Sequence, residues 1–227
     1  MSKRDVVVLS AVRSAIGSFG GVLSDMEPPE LGGLVMKEAV KRSGVDPAQI
    51  NYITVGNTIP TDSRFPYVAR VASIQAGLPM ESVAMSVNRL CSSGLQAIVT
   101  TAQNILLGDC DYGVGGGVEV MSRGGYLSAA MRSGARMGDT KLIDMMVATL
   151  TDPFGVGHMG ITAENLCTKW GITREEQDAL AVESHRRAAA AQAAGYFKSQ
   201  IVPIVKQTRK GEVTVDTDEH IKASTTM

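Results

Sequence analysis

The chain has 227 residues, a length that buries about 70–75% of the unfolded surface and predicts one large domain or one domain with an appendage. Its 22 basic and 23 acidic residues nearly balance, so composition gives no indication of a nucleic-acid partner. Three cysteines without a Cys-x-x-Cys pair argue against a disulfide framework and a metal site. No signal-type or membrane-spanning apolar run occurs, and we expect a cytoplasmic protein.

Strands and helices alternate along the first 121 residues. The β-branched run at residues 5–12 predicts a strand at the centre of a sheet, because both of its faces are apolar. Further strands are predicted at residues 50–58, from Val83 towards Cys91, and at 112–121. Helices are predicted at residues 30–43 and 67–76. A helix after Cys91, ended by Gly108, is predicted to bury the apolar residues that recur at three- and four-residue steps, which are Leu95, Ile98, Val99, Ala102, Ile105 and Leu106. This alternation predicts an α/β layered domain.

The rest of the chain departs from this pattern. Residues 122–160 are rich in Gly, Met and Arg and form a long excursion from the core, of a length that is usually functional or oligomeric. Two helices follow at residues 162–170 and 173–197, the second opened by a capping box at Thr173 and Glu176. A hairpin is predicted around Lys210 and Gly211. We therefore predict a core domain at residues 1–121 and a second domain at 122–227.

Cys91 is the candidate nucleophile. It lies where an apolar strand pattern meets a long helical pattern, so its thiol faces the unpaired N–H groups and the positive dipole end of a helix, which favour the thiolate. A free cysteine is more often a small buried hydrophobe. Here Ser92, Ser93 and Gly94 are small and Asn88 and Arg89 are polar, which favours an open site.

The three consecutive glycines at residues 115–117 lack the Gly-x-Gly-x-x-Gly spacing of a phosphate-binding loop, and no helical pattern begins directly after them. We predict that they allow close packing.

Three motifs together resemble the thiolase family. They are Asn88-Arg-Leu-Cys91-Ser-Ser-Gly-Leu-Gln96, Gly116-Gly-Val-Glu-Val-Met-Ser122 and His158-Met-Gly-Ile-Thr-Ala-Glu-Asn165, and they stand in the family's order. The resemblance covers nearly the whole chain and is strongest to the bacterial biosynthetic type, which includes the β-ketothiolases. It implies the N-terminal half of a thiolase-like fold, a mixed β-sheet with helices on both faces, followed by a long loop-domain excursion.

The resemblance also implies roles for particular residues. Cys91 matches the cysteine that carries the acyl group between 3-ketoacyl-CoA and CoA or acetyl-CoA. Leu150, His158 and Met159 match residues that line the pantetheine tunnel. Lys222 stands where an arginine commonly lies near the CoA adenine and phosphate. Coenzyme A thioesters are then substrates, and no separate cofactor or metal is expected.

Partners are implied in the same way. Residues 123–141 match the loop through which family members form tetramers, so a homo-oligomer is expected. His185 and His220 match no family motif and are predicted to be solvated. The family's Asn, Gly-His-Pro and Cys-x-Gly-Gly-Gly motifs, which supply acid/base groups, do not occur in these 227 residues. We therefore predict a thiolase N-terminal half that needs a C-terminal half for full activity.

Two other functions fit the same residues. A condensing enzyme of the ketoacyl synthase type shares the fold and the cysteine nucleophile, although the His158 and Glu119 motifs favour a thiolase. A non-catalytic acyl-CoA-binding or scaffold fragment would keep the core without the chemistry. Acylation of Cys91 by acetyl-CoA distinguishes catalysis from binding alone.

Overall fold

Strands and helices alternate as far as residue 121, as the sequence predicts. The computed structural model describes residues 4–209 and 211–227, so Lys210 of the predicted hairpin lies outside the described residues. The chain forms two units. The first contains the described residues up to Gly124 and, later in the chain, Gln200–Thr217; the second consists of Gly125–Ser199 and Asp218–Met227.

Strands and helices of the first unit have the following bounds. The elements are β1 (Arg13–Ser14), α1 (Pro28–Ser43), β2 (Tyr52–Gly56), α2 (Val68–Gln75), β3 (Val83–Val87), α3 (Ser93–Leu107) and β4 (Gly113–Gly117). Short 3-10 turns occur at Pro47–Gln49, Phe65–Tyr67 and Met121–Arg123. The helices α1 and α3 end at Gly44 and Gly108, both in the left-handed conformation that glycine adopts without strain.

The central sheet of this unit is parallel, with β2 between β3 and β4. Helices cover both of its faces. On one face Thr101 of α3 donates to the Thr54 hydroxyl of β2. On the other, the backbone N–H of Ala69 in α2 donates to Ser86 Oγ, which lies level with Val55 in the register. Because side chains alternate along a strand, Thr54 and Val55 face opposite ways and the helices α3 and α2 lie on opposite faces.

Helix α3 buries a different face from the one the sequence predicts. Its buried residues are Ser93, Ala97 and Thr101, while Leu95 is 67% exposed and Ile98, Val99 and Leu106 are also exposed. The reason lies in the sheet, whose β4 consists almost entirely of glycine. An added Cβ at Gly115 would lie 2.7 Å from the Cα of Ile98. Only small helix residues fit so close a contact, which confirms the packing role for Gly115 and Gly117, whereas an added Cβ at Gly116 would meet no atom within 4 Å.

Residues 5–12 do not form the predicted central strand. Residues 4–12 have no strand structure, and Val8 is 78% exposed. A β-branched run becomes a strand only where a neighbouring strand accepts its backbone hydrogen bonds. Within the described residues such a neighbour is found only for Arg13 and Ser14, which pair in parallel with β9 (Ile201–Val202).

The C-terminal strands of the first unit refine the predicted hairpin. The strands β10 (Ile204–Thr208) and β11 (Gly211–Val215) pair antiparallel, as predicted. Ile201 and Val202 instead belong to the pair with β1, since Pro203 has no N–H and interrupts the run. Lys206 in β10 contacts the Asp25 carboxylate and the Val22 carbonyl, and this fastens the loop before α1.

The second unit consists of short strand pairs and three helices. Its elements are β5 (Tyr126–Leu127), β6 (Ile143–Asp144), α4 (Met145–Thr149), β7 (Thr151–Asp152), β8 (Gly157–His158), α5 (Met159–Trp170) and α6 (Arg174–Ala193), with a 3-10 turn at Ala130–Ser133. The capping box at Thr173 and Glu176 is confirmed. None of this unit's residues, all of which the structure describes, is buried.

Candidate active site

Cys91 lies among the five residues, 88–92, that connect β3 to α3, directly before Ser93 begins the helix. It is exposed, and it precedes the N-cap Ser92 by one residue, which confirms the predicted position beside the first helical turn. Such a position places the thiol near the unpaired N–H groups of the helix start. We call residues 88–93 the Cys91 loop.

The Cys91 loop contains a backbone feature that sequence reasoning missed. Leu90, directly before the cysteine, has φ of 50° and lies in the left-handed region. For a branched residue this conformation costs on the order of 1 kcal/mol. Local hydrogen bonds offset the cost, because Leu90 N–H donates to Asn88 Oδ1 at 3.0 Å and Ser93 Oγ donates to Leu90 O at 2.6 Å.

Glycines let the helix start approach the sheet end closely. A Cβ added at Gly56, the last residue of β2, would lie 2.4 Å from the Ser93 carbonyl carbon. A Cβ at Gly117, the last residue of β4, would lie 3.0 Å from the Cα of Gly94. Both positions therefore need glycine for the observed approach, and the Cys91 loop is held over the carboxyl end of the parallel strands.

The other two thiols are less accessible. Cys110 is 3% exposed, and burial, followed by the neighbouring Asp109 and Asp111 carboxylates, raises the pKa of its thiol. Burial and like charge both disfavour the thiolate. Cys167 lies half-buried in α5. Of the three cysteines only Cys91 is exposed, which agrees with its predicted role.

Glu119 belongs to one of the three family motifs, but the sequence predicted no role for it. Its half-buried carboxylate accepts hydrogen bonds from the Asn57 side chain and from the backbone of Thr58 and Ile59, at 3.0, 2.9 and 3.1 Å. Burial raises the pKa of this carboxyl group. One signal was available: an acid placed between Val118 and Val120, both apolar, directly after the glycine strand.

The structure brings three of the predicted tunnel residues together in the second unit. Leu150 directly precedes β7, His158 is the last residue of β8, and Met159 N–H donates to Leu150 O at 2.9 Å. His158 is the N-cap of α5, where its Nδ1 accepts from Gly160 N–H at 3.1 Å. The helix thus begins at Met159, three residues earlier than predicted, because the imidazole caps it.

Lys222 and the two other histidines form a separate cluster of the same unit. The Lys222 backbone N–H donates to His185 Nδ1 at 3.2 Å, and the rings of His185 and His220 lie 6.1 Å apart. His220 is exposed, as predicted, whereas His185 is half-buried. The Lys222 side chain is exposed, so its ammonium group is accessible to an anionic ligand.

Two features are absent from the described residues. No group of three or more His, Cys, Asp or Glu side chains is arranged to hold a metal ion in residues 4–209 and 211–227. In the same residues no helix is long and apolar enough to cross a membrane.

Comparison with known proteins gives the family. The family model for the thiolase N-terminal domain matches residues 6–227 of the sequence. This chain belongs to the thiolase family. A β-ketothiolase of Cupriavidus necator is 54% identical over 224 residues, which are 99% of this chain and 57% of the relative. An acetyl-CoA acetyltransferase of Rhizobium meliloti is 44% identical over 229 residues, or 100% of this chain and 58% of that protein.

Solved structures agree with the fold. The acetyl-CoA acetyltransferase of Bacillus anthracis matches with a TM-score of 0.92 and 42% sequence identity, and the match covers 97% of this thiolase chain and 56% of the other chain. Human mitochondrial 3-ketoacyl-CoA thiolase matches with a TM-score of 0.92 and 37% identity, and this match covers 96% of this chain and 56% of the human one. The thiolase-like α/β fold is therefore confirmed, and the chain spans about half the length of the curated relatives it matches.

Proposed function

We propose that this chain is the nucleophile-bearing part of an acyl-CoA C-acyltransferase and that Cys91 accepts the acyl group. The observation that carries the proposal is the exposed Cys91, placed beside the start of α3 by the left-handed Leu90. The names of its relatives, β-ketothiolase and acetyl-CoA acetyltransferase, support the reaction class.

The proposed first step forms one thioester and breaks another. The Cys91 thiol gives its proton to a base, and Sγ attacks the thioester carbonyl of the acyl-CoA. Backbone N–H groups at the Cys91 loop stabilise the negative charge that develops on the carbonyl oxygen. The carbon–sulfur bond to CoA then breaks and CoA leaves as the thiol, so Cys91 holds the acyl group until a second substrate takes it.

We further propose that the second unit contributes to binding the CoA part of the substrate. Leu150 and Met159 offer apolar contacts for the pantetheine chain, and His158 offers a ring nitrogen to its amides. Lys222 offers an exposed positive charge to a phosphate, although a lysine lacks the planar fork of an arginine. Leu150 and Met159 lie at the two ends of the β7–β8 hairpin and are joined by a backbone hydrogen bond, and His158 lies in β8, which supports their acting together.

Acetylation of Cys91 tests the proposed function. Incubating the chain with acetyl-CoA, quenching in acid and mapping peptides by mass spectrometry is expected to find one acetyl group, on Cys91 and on neither Cys110 nor Cys167. The Cys91→Ser variant serves as the control and is expected to retain no thioester. Acyl-CoA binding without any acetylation would instead support the non-catalytic function, and acetylation spread equally over the three cysteines would contradict the site.

A second prediction concerns self-association. The segment at residues 123–141 exposes Met131 and, at 96% of its surface, Met137, and methionine is enriched in protein interfaces. We propose that this segment joins copies of the chain in a homo-oligomer. Replacing residues 126–141 with a short Gly-Ser linker is expected to lower the mass measured by light scattering.

A double point variant tests the same segment without deleting it, so the result does not depend on whether the deletion variant folds. Met131→Glu combined with Met137→Glu places charges in the proposed contact and is expected to lower the mass equally. Leu180→Glu, at an exposed position of α6 outside the segment, is the matched control and is expected to leave it unchanged. An unchanged mass in both segment variants would contradict the proposal.

A further inference from the structure

The Glu119 carboxylate organises the loop that follows β2. Its Oε1 accepts from the Asn57 side chain and from Ile59 N–H, and its Oε2 accepts from Thr58 N–H. An ionised carboxylate accepts at both oxygens and carries no donor of its own, so it suits a ring of three donors. The Asn57 amide also donates to Val118 O at 2.8 Å, which joins the ends of β2 and β4.

Thr58, which Glu119 holds by its backbone, in turn contacts the Cys91 loop by its side chain. Its Oγ1 donates to Leu90 O at 3.3 Å and lies 3.2 Å from Ser93 Oγ. The Asn88 amide donates to Thr58 O at 3.4 Å. Through its backbone carbonyl and its hydroxyl, Thr58 therefore contacts the first, third and last residues of the Cys91 loop.

The same loop includes the strained residue. Leu90 is kept left-handed by bonds from the loop itself, and Ser93 Oγ accepts from Arg89 N–H at 2.8 Å while it donates to Leu90 O. The Thr58 hydroxyl links this small cluster to the end of β2 by hydrogen bonds, in addition to the close approach of Gly56 to Ser93. If Thr58 moved away, the cluster would lose these hydrogen bonds, and the left-handed turn before Cys91 would become free to relax.

We propose that Glu119 is a positioning residue for Cys91, acting through Thr58 to hold the Cys91 loop in the conformation that presents the thiol. The inference rests on the proposed function in one respect, that Cys91 is the reactive thiol. Glu119 does not touch the thiol. Its role is to fix the Thr58 backbone so that the Thr58 hydroxyl supports Leu90 and Ser93.

Three variants of the 227-residue chain separate this role from general stabilisation. Glu119→Gln keeps the size of the side chain but leaves a single oxygen acceptor and turns an NH₂ group towards backbone N–H donors. Thr58→Val removes the hydroxyl with little change in shape, whereas Thr58→Ser keeps it. Glu38→Gln is the matched control in the same unit, since the Glu38 carboxylate also pairs with a donor, Arg42, but on the surface of α1.

Alkylation by iodoacetamide at neutral pH, followed by peptide mapping, measures the rate at each cysteine. In the parent chain Cys91 is expected to react faster than Cys167, and Cys110 slowest. Glu119→Gln and Thr58→Val are each expected to slow Cys91 by about threefold to tenfold, the effect of losing one or two hydrogen bonds. Thr58→Ser and Glu38→Gln are expected to stay within about twofold of the parent.

Two measurements distinguish a positioning role from general stabilisation: the Cys91 rate in the double variant and the alkylation rate of the buried Cys110. If Glu119 acts through Thr58, the Glu119→Gln, Thr58→Val double variant reacts no more slowly at Cys91 than the slower single variant. If Glu119 only stabilised the first unit, its substitution would loosen that unit and expose the buried Cys110 thiol. The alkylation rate of Cys110 would then rise. The proposal therefore expects the Cys110 rate to stay unchanged.

Other outcomes overturn specific statements. An unchanged Cys91 rate in Glu119→Gln, additive losses in the double variant, or faster alkylation of Cys110 would each overturn the positioning role. If Glu119→Gln does not fold, Thr58→Val against Thr58→Ser still tests the contact to the Cys91 loop. A parent chain in which Cys91 reacts no faster than Cys167 would overturn the proposed function itself, whereas a fast parent Cys91 with unaffected variants overturns this inference alone.

Discussion

The 227-residue polypeptide alone is expected to cleave acetoacetyl-CoA at least about 10²-fold more slowly than the same polypeptide mixed with a C-terminal thiolase half. The chemistry needs two proton transfers, one from the Cys91 thiol and one at the α-carbon of acetyl-CoA, and a positioned acid or base typically supplies about 10²–10⁴-fold at such a step. Among the described residues, the side chains that hydrogen-bond the Cys91 loop are amides and hydroxyls. The nearby Glu119 carboxylate is already occupied by three donors.

Thiolysis is measured by the loss of acetoacetyl-CoA absorbance in the presence of CoA. The chain is assayed alone, mixed with a separately expressed C-terminal half, and mixed as the Cys91→Ala variant. Turnover is expected only in the second assay. Rapid turnover by the chain alone that Cys91→Ala abolishes would contradict this expectation and would require an acid/base pair within these 227 residues.

The surface of the first unit supports the need for a partner. Outside the face that Ser93, Ala97 and Thr101 bury, helix α3 exposes large apolar side chains at Leu95, Ile98, Val99, Leu106 and Leu107. Val7 and Val8 are exposed in the segment before β1. Exposed apolar area of this kind marks an interaction site or an aggregation risk. The C-terminal half is therefore expected to raise the solubility of the chain when the two are expressed together.

Local sequence signals predicted most of the helices and the place of Cys91. Periodic apolar residues, a glycine at each helix end and the Thr173 capping box are all determined by a few neighbouring residues, so α1, α2, α3 and α6 lie close to where they were predicted. Cys91 was found because a strand pattern and a helical pattern meet there. These signals depend on neighbouring residues and not on tertiary contacts.

The errors arise where distant residues decide the structure. The β-branched run at residues 5–12 has the propensity of a strand, but propensity supplies no partner for its backbone. The buried face of α3 was predicted from its large apolar residues, whereas the glycine strand β4 admits only the small ones. The Glu119 contacts join residues about 60 positions apart in sequence. No periodicity in the sequence indicates such a network.

Gly56→Ala is expected to destabilise the first unit by about 1–3 kcal/mol and to displace Cys91. The new methyl group would lie 2.4 Å from the Ser93 carbonyl carbon, 2.5 Å from its oxygen and 2.7 Å from Gly94 N. All three are backbone atoms of the start of α3, so no side-chain rotation relieves the overlap. The helix start must move away from β2, and the Cys91 loop moves with it. Urea titration followed by alkylation of the buried Cys110 reports the stability of this unit, and acetylation by acetyl-CoA reports the Cys91 loop.

Gly116→Ala provides the matched control on the neighbouring strand. A Cβ at Gly116 meets no atom within 4 Å, so the substitution introduces no overlap. It also removes the conformational entropy that a glycine loses in a strand, a gain of roughly 0.5–1 kcal/mol. The urea midpoint of Gly116→Ala is therefore expected to equal or exceed that of the parent, with Cys91 acetylation unchanged. A Gly56→Ala chain with the parent's midpoint and acetylation rate would show that the start of α3 yields to a methyl group at no cost, and that the close approach at Gly56 does not hold Cys91 in place.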